Sequence, residues 1–269
     1  MFLKTVNVGF GYVPEKKVLQ GISFDLHKGS TLSIVGASGC GKSTLLRIIS
    51  GIIQSSKNSF LDGKITINGQ TTNEYRESGK LSFMFQEPTL MPNLTVKENI
   101  YLPLRIKGVK DDEKVSILLH TVGLSEYANY LPKLLSGGMK TRVALARSFV
   151  TSPELLLLDE PFSALDIAWK SNLYIELEKL REQFNTTVVF VTHDVQESLL
   201  LSNHVLVLNS LGEIEASHKI ETSKTINDRV NNISDFMSEV FSDYLLPIQE
   251  AIINGKNKKN EKMDIIYFT

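Results

Sequence analysis

Cysteine is nearly absent from these 269 residues. The one present, Cys40, has no partner for an internal disulfide and cannot build a multi-cysteine metal site, which fits a reducing compartment. Charge of one sign is missing as well. The 29 basic and 30 acidic residues leave a net charge of −1, without the basic footprint of a nucleic-acid binder. No stretch approaches the ~18 consecutive apolar residues of a membrane span. Met1–Pro14 lacks a cationic region followed by an apolar one, so no secretory signal is expected. Wholesale disorder is excluded too, because apolar residues make up 42% and charged residues 22%. The chain is short for two full domains, but an α/β unit can hold about 250 residues.

Short apolar runs alternate with turn residues through the first third. Phe2–Val8, Gly21–Leu26, Ser30–Val35, Gly63–Gly69 and Lys80–Phe85 read as strands. Between them Thr44–Ser50 has helical spacing. From Thr95 to about Val150 the periods become helical, punctuated by Pro88, Pro92, Pro103 and Pro132, which predicts a helical insertion between two halves of an α/β core. Strand signals return at Glu154–Asp159, whose four consecutive leucines suit a strand buried on both faces. A helix carrying Leu173, Leu177, Leu180 and Phe184 follows, then strands at Thr187–Val191 and His204–Leu208. Strands alternating with helices imply a mostly parallel sheet. In the tail, Ile233, Phe236, Met237, Val240, Phe241 and Tyr244 share one helical face, and lysine-rich Gly255–Lys262 reads as a solvated linker.

Three segments carry chemistry. Gly36-Ala37-Ser38-Gly39-Cys40-Gly41-Lys42-Ser43 fits G-x-x-x-x-G-K-[ST] at every fixed position, with an apolar strand before it and a helix, entered through Thr44, after it. Glycines let backbone N–H groups turn inward around phosphate oxygens, and the helix N-terminus adds the positive end of its dipole. Lys42 then reaches the β- and γ-phosphates of a nucleotide and Ser43 holds Mg²⁺. The second segment, Leu155-Leu156-Leu157-Leu158-Asp159-Glu160, ends an apolar strand in carboxylates. Alone that is often a strand meeting solvent; beside a phosphate loop it puts Asp159 near the metal and Glu160 where it can polarise an attacking water. The third, Leu135-Ser136-Gly137-Gly138-Met139, is by itself an N-cap and turn, yet it opens a helix whose free N–H groups suit an anion.

Together these three resemble the ABC-type ATPases, and the other marks of that family stand in order over roughly residues 2–220. Gln86 resembles the Q-loop glutamine, Ser163-Ala164-Leu165-Asp166 the D-loop, His193 the switch histidine, and Tyr12 the aromatic that stacks on adenine. The resemblance implies a P-loop NTPase (RecA-like) α/β core with a mostly parallel sheet, N-terminal antiparallel β elements and an inserted helical subdomain. Residues 1–88 and 150–220 would form the core, 89–149 the insertion, and 221–269 a C-terminal extension. It also implies ATP as ligand and Mg²⁺ as cofactor. Glu160, His193 and Gln86 would serve catalysis, and Ser43, Gln86 and Asp159 the metal. The nucleotide would lie on Tyr12, Gly36–Thr44 and, from the other chain of a head-to-tail dimer, Ser136, Gly137 and Gly138.

The family's signature usually ends in glutamine, and Met139 stands there instead; methionine offers no hydrogen-bond donor. Members resembling nitrate, sulfonate and taurine importers often carry Met at that place. Phe162, the Thr192–Ser198 segment and Phe85–Asn99 also resemble importers. The expected partners are integral-membrane permease subunits, a second copy of the chain and a separate substrate-binding protein, with no nucleic acid. The expected place is peripheral, on the cytoplasmic face of the cell membrane. Two other readings are a soluble ABC-type ATPase and an exporter subunit. A P-loop kinase would leave Ser136–Gly138 and His193 without a role. His27, His120, His204 and His218 have no partner at ligand spacing and read as structural or surface residues. Cys40 reads as a small side chain tolerated in the loop, or as a redox switch, and Trp169 as packing.

Overall fold

Leu155, Leu156, Leu157 and Leu158 are all fully buried, and they alternate between two cores. Leu155 and Leu157 enter one with Leu32, Ile34, Val189 and Val191; Leu156 and Leu158 enter the other with Val35, Val188 and Phe190. Because strand side chains point alternately to opposite faces, a sheet covered on both sides needs an unbroken apolar run. Each such leucine contributes at most about 1.5–3 kcal/mol of burial.

The computed structural model describes residues 1–13, 16–54, 59–163, 165, 167–221 and 224–266. Its strands are β1 (Leu3–Gly11), β2 (Leu19–Leu26), β3 (Thr31–Gly36), β4 (Phe60–Ile67), β5 (Leu81–Met84), β6 (Leu155–Asp159), β7 (Thr187–Val191), β8 (His204–Leu208) and β9 (Ile214–Lys219). The helices are α1 (Lys42–Ile49), α2 (Thr72–Glu77), α3 (Val96–Ile106), α4 (Asp112–Thr121), α5 (Gly137–Phe149), α6 (Ile167–Phe184), α7 (Val195–Leu201), α8 (Ile226–Asn231), α9 (Ile233–Glu239) and α10 (Leu246–Ile266). The large sheet runs β5-β6-β7-β3-β8-β9, parallel except for β9. A separate antiparallel sheet runs β2-β1-β4.

One core is shared by the small sheet (Leu3, Phe10, Ile22), by α1 (Leu45, Leu46, Ile48, Ile49) and by one face of the large sheet. The other joins the opposite face to α3, α5 and α6. Parallel pairing sets the strand ends in step: Ile34 is opposite Val191, Asp159 opposite Val191, and Gly36 opposite Leu208. The turns leaving β3, β6 and β7 therefore emerge side by side, at the edge where ligands bind in α/β sheets.

Expected strands recur within a few residues, and α1 begins two residues earlier than its apolar spacing implies. Pro103 does not break α3, which runs through it. Edge strand β9 has no counterpart among the expected strands: IEASHK is mostly polar and offers no apolar run. The tail needs a correction. Gly255–Lys262 is part of α10 rather than a linker, and Ser210 fastens it by donating from both its N–H (3.0 Å) and its hydroxyl (2.7 Å) to the Gly255 carbonyl. In the stripe before it, Phe236 and Val240 are buried while Phe241 points outward, because the chain there takes a π-helical turn that shifts the register.

Candidate nucleotide site

Gly36 ends β3 with φ 153°, and a Cβ there would stand 2.4 Å from the Leu208 carbonyl oxygen, so only glycine can leave the central strand in this direction. Gly41, with φ 102°, precedes α1, and no side chain caps that helix or adds an acid to its first turn. Its first N–H groups are left for an anion. Lys42 is buried and donates to the carbonyls of Gly36 (2.9 Å) and Ala37 (3.1 Å), which curls the loop around its ammonium group. Cys40 is buried beneath the loop, and burial raises its thiol pKa with Lys42 opposing. A buried thiol held in its neutral form is a poor nucleophile, which favours the packing role.

At the end of β6, Asp159 is fully buried and accepts a 2.7 Å hydrogen bond from Ser43 Oγ. Its other oxygen has no hydrogen-bond partner and lies 3.8 Å from Arg47. Burial raises the pKa of this carboxyl; Ser43 and Arg47 act the other way. Two convergent oxygen donors, one short of a partner, fit a hard divalent cation, which would favour the ionised carboxylate. Glu160 follows in the left-handed region at φ 47°, its N–H donating to the Val191 carbonyl. That kink turns the side chain out of the strand. Its carboxylate meets Gln86 Nε2 at 3.2 Å and His193 Nδ1 at 3.5 Å.

An open groove of about 560 Å³ lies over the loop, lined by Tyr12, Lys16, Val18, Ser38, Gly39, Gly41, Lys42, Ser43, Thr44, Gln86 and Glu160. Tyr12 is half exposed at its rim, its hydroxyl 3.2 Å from Thr44 Oγ1 and its ring edge-on to Phe10. Ser136 caps α5 by accepting from the Met139 N–H at 3.3 Å. Ser136 and Gly137 are exposed, and neither they nor Gly138 line this groove. Ser163 binds back to the Glu160 carbonyl, whereas Ala164 and Asp166 of the same segment lie outside the described residues.

Some functional-looking contacts have no sequence signal. Arg147, on α5, donates to the carbonyls of Pro88 and Thr89 at 3.0 Å, tying the segment after Gln86 to the signature helix. Trp169 stacks under Arg142, 4.1 Å from its guanidinium. No cluster of potential metal ligands involving three or more His, Cys, Asp or Glu occurs among the described residues, so the remaining histidines build no such centre. No helix among the described residues is long and apolar enough to cross a membrane.

Known proteins resemble this chain over most of its length. The ABC transporter family pattern matches residues 19–163. An aliphatic sulfonates import ATP-binding protein of Bacillus cereus is 42% identical over 82% of this chain and 84% of its own length. Another, from Pseudomonas syringae pv. tomato, is 46% identical over 72% of this chain and 76% of its own. Among solved structures, an ATP-binding cassette held as a dimer in a post-hydrolysis state with ADP and Pi is 31% identical. The match covers 82% of this chain and 99% of that one, with a TM-score of 0.72.

Proposed function

This chain belongs to the ABC transporter family, and from that premise we propose that it is the ATP-hydrolysing subunit of an import system whose membrane-spanning part is a separate chain. The observation that carries the reading is the meeting of Gln86, Glu160 and His193 beside the Ser43–Asp159 pair, at the mouth of the glycine-lined groove.

Each residue has a task its position allows. Tyr12 offers its ring to the adenine. The loop N–H groups of Gly36–Thr44 and the Lys42 ammonium group hold the phosphates; to do so Lys42 exchanges its carbonyl partners for phosphate oxygens. Ser43, Asp159 and Gln86 are the residues to hold Mg²⁺, which when bound would neutralise charge on the β- and γ-phosphates. Glu160 accepts the proton of the attacking water, and Gln86 and His193 keep its carboxylate aimed at that water. Ser136, Gly137 and Gly138 of a second copy close the groove, so that nucleotide binding and association are coupled. Hydrolysis removes the γ-phosphate link and lets the pair open, a rigid-body motion that the membrane chain follows.

We assign the α/β core to 1–88 and 150–220, the inserted helical part to 89–149 and the extension to 221–269. Segment Glu87–Leu94 then docks the permease, since it leaves the nucleotide-contacting Gln86 and is braced by Arg147 from the signature helix. A separate substrate-binding protein completes the system, and the chain sits peripherally on the cytoplasmic face of the membrane. Relatives named for aliphatic sulfonates point to a sulfonate-like small anion as cargo; Met139 suits the same branch, and Phe162 suits importers generally. A spermidine/putrescine import ATP-binding protein of Thermotoga maritima is also 41% identical, but this chain covers only 53% of it.

The test is to trap the full-length Glu160→Gln chain with ATP in membranes of its native cell and identify what co-purifies. A multi-span permease is expected, lost on substituting Glu87–Leu94. Recovery of soluble partners alone would refute the transport role and leave the ATPase standing.

A further inference from the structure

Glu197 is a carboxylate only 5% exposed, and three donors reach it from two elements. Thr192 Oγ1 donates to one oxygen at 2.7 Å; Lys170 Nζ (2.6 Å) and Tyr174 OH (3.0 Å) donate to the other. Lys170 and Tyr174 stand four apart on one face of α6, the helix that starts directly after Ser163–Asp166. Thr192 immediately precedes His193, and its hydroxyl also accepts from the Asp194 N–H at 3.0 Å, which fixes the turn that carries the imidazole. Tyr174 in turn packs edge-on against Phe162 at 4.8 Å, two residues beyond Glu160. One buried carboxylate thus touches the His193 turn and α6 directly, and through the Tyr174 ring it braces the strand exit carrying Glu160.

Burying an ion costs desolvation, and apolar side chains of like volume often serve stability as well or better. A buried carboxylate with donors on both oxygens is instead suited to fixing relative positions. The side chain of His193 is 64% exposed and its contact with Glu160 is long, at 3.5 Å, so little else holds it. We propose that Glu197 is a positioning residue that sets where His193 stands against Glu160 and ties that placement to α6. This rests on the assignment of Glu160 and His193 above. Movement of α6 when two copies close then shifts the His193 turn through a rigid strut rather than through solvent.

A double-mutant cycle tests it, with ATP hydrolysis read on the full-length chain alone and with its co-purified membrane partner. Glu197→Ala should lower kcat by about ten- to a hundredfold, the scale of a misplaced catalytic group, with KM for ATP changed less than about twofold. Glu197→Gln keeps one acceptor oxygen for Lys170 and Tyr174, reverses the Thr192 contact so that the amide donates to the hydroxyl, and should recover part of the rate. Combined with His193→Ala, the alanine variant should cost nothing further, since both losses act through one group. Losses that multiply, or an alanine variant that regains full kcat well below its melting temperature, would overturn the assignment. If Glu197→Ala does not fold, Tyr174→Phe takes its place in the cycle, with a smaller loss and the same non-additivity expected. A His193→Ala chain as active as the parent would overturn the site reading itself, and this inference with it.

Discussion

Replacing Arg229 with alanine should detach the C-terminal extension. This residue is only 3% exposed. Its guanidinium donates across to the core carbonyls of Ser202 (2.9 Å) and Leu199 (3.2 Å), and within the extension to the Lys224 carbonyl (3.3 Å), lying 5.3 Å from the centre of the Phe236 ring. Its partners are neutral, so burial lowers its pKa, with Glu178 opposing. Hydrogen bonds from a charged donor contribute about 1.5–3 kcal/mol each, and a ring contact of this kind about 0.5–1 kcal/mol. Water reaching the freed carbonyls offsets part of that sum and leaves a net loss of about 3–5 kcal/mol. For a chain of this size each kcal/mol moves Tm by roughly 2–4 °C, so calorimetry should show a fall of about 6–20 °C. Limited trypsin digestion should open new sites beyond Thr225. Arg229→Lys puts a point charge where a fork served three carbonyls, and should recover about half of the loss. A fall below about 3 °C with an unchanged digestion pattern would refute the anchoring argument.

Glu160→Gln keeps the backbone kink and removes the proposed base: kcat should fall about 10²–10⁴-fold while ATP still binds and an ATP-dependent dimer accumulates in light scattering. Turnover close to that of the parent would exclude Glu160 as the base. Tyr12→Ala removes a proposed stacking surface worth about 1–3 kcal/mol, so KM for ATP should rise roughly 5–150-fold with little change in kcat. Glu154 is held below the usual glutamate pKa, first by Lys80 (2.8 Å) and then by Lys28 (3.2 Å). Its stabilisation is complete above the ordinary value of about 4.3 and is lost as pH falls through the lowered one. In acid titrations followed by circular dichroism, Glu154→Gln should therefore be less stable than the parent at neutral pH, and the gap should close in acid.

The phosphate loop was legible because its chemistry demands fixed residues at fixed spacing, and the parallel sheet because Leu155–Leu158 has only one economical place to go. What escaped reading was long-range. Nothing near Glu197 announces that Tyr174 and Lys170 will surround it, since those donors are assembled by packing α6 on α7. Arg147 looks like any basic residue late in a helix until Pro88 and Thr89 are seen beside it. Strand β9 hides because an edge strand needs no apolar alternation, only the β8 backbone to pair with. Lysines and asparagines at 256–260 read as solvated, yet helix propensity and the Ser210 anchor carry the helix through them.

Ser136 and Gly137 lie open at the surface, apart from the groove that their own chain provides. If a second copy lends them as the missing wall, as proposed above, catalysis obeys second-order kinetics. Far below the dissociation constant of the pair, halving the chain concentration should cut the rate about fourfold. Carried side by side on a common membrane partner, the same two copies meet at an effective concentration set by tethering, and bulk dilution no longer matters. Fuel is then spared by stray copies and consumed where a gate stands ready to use it.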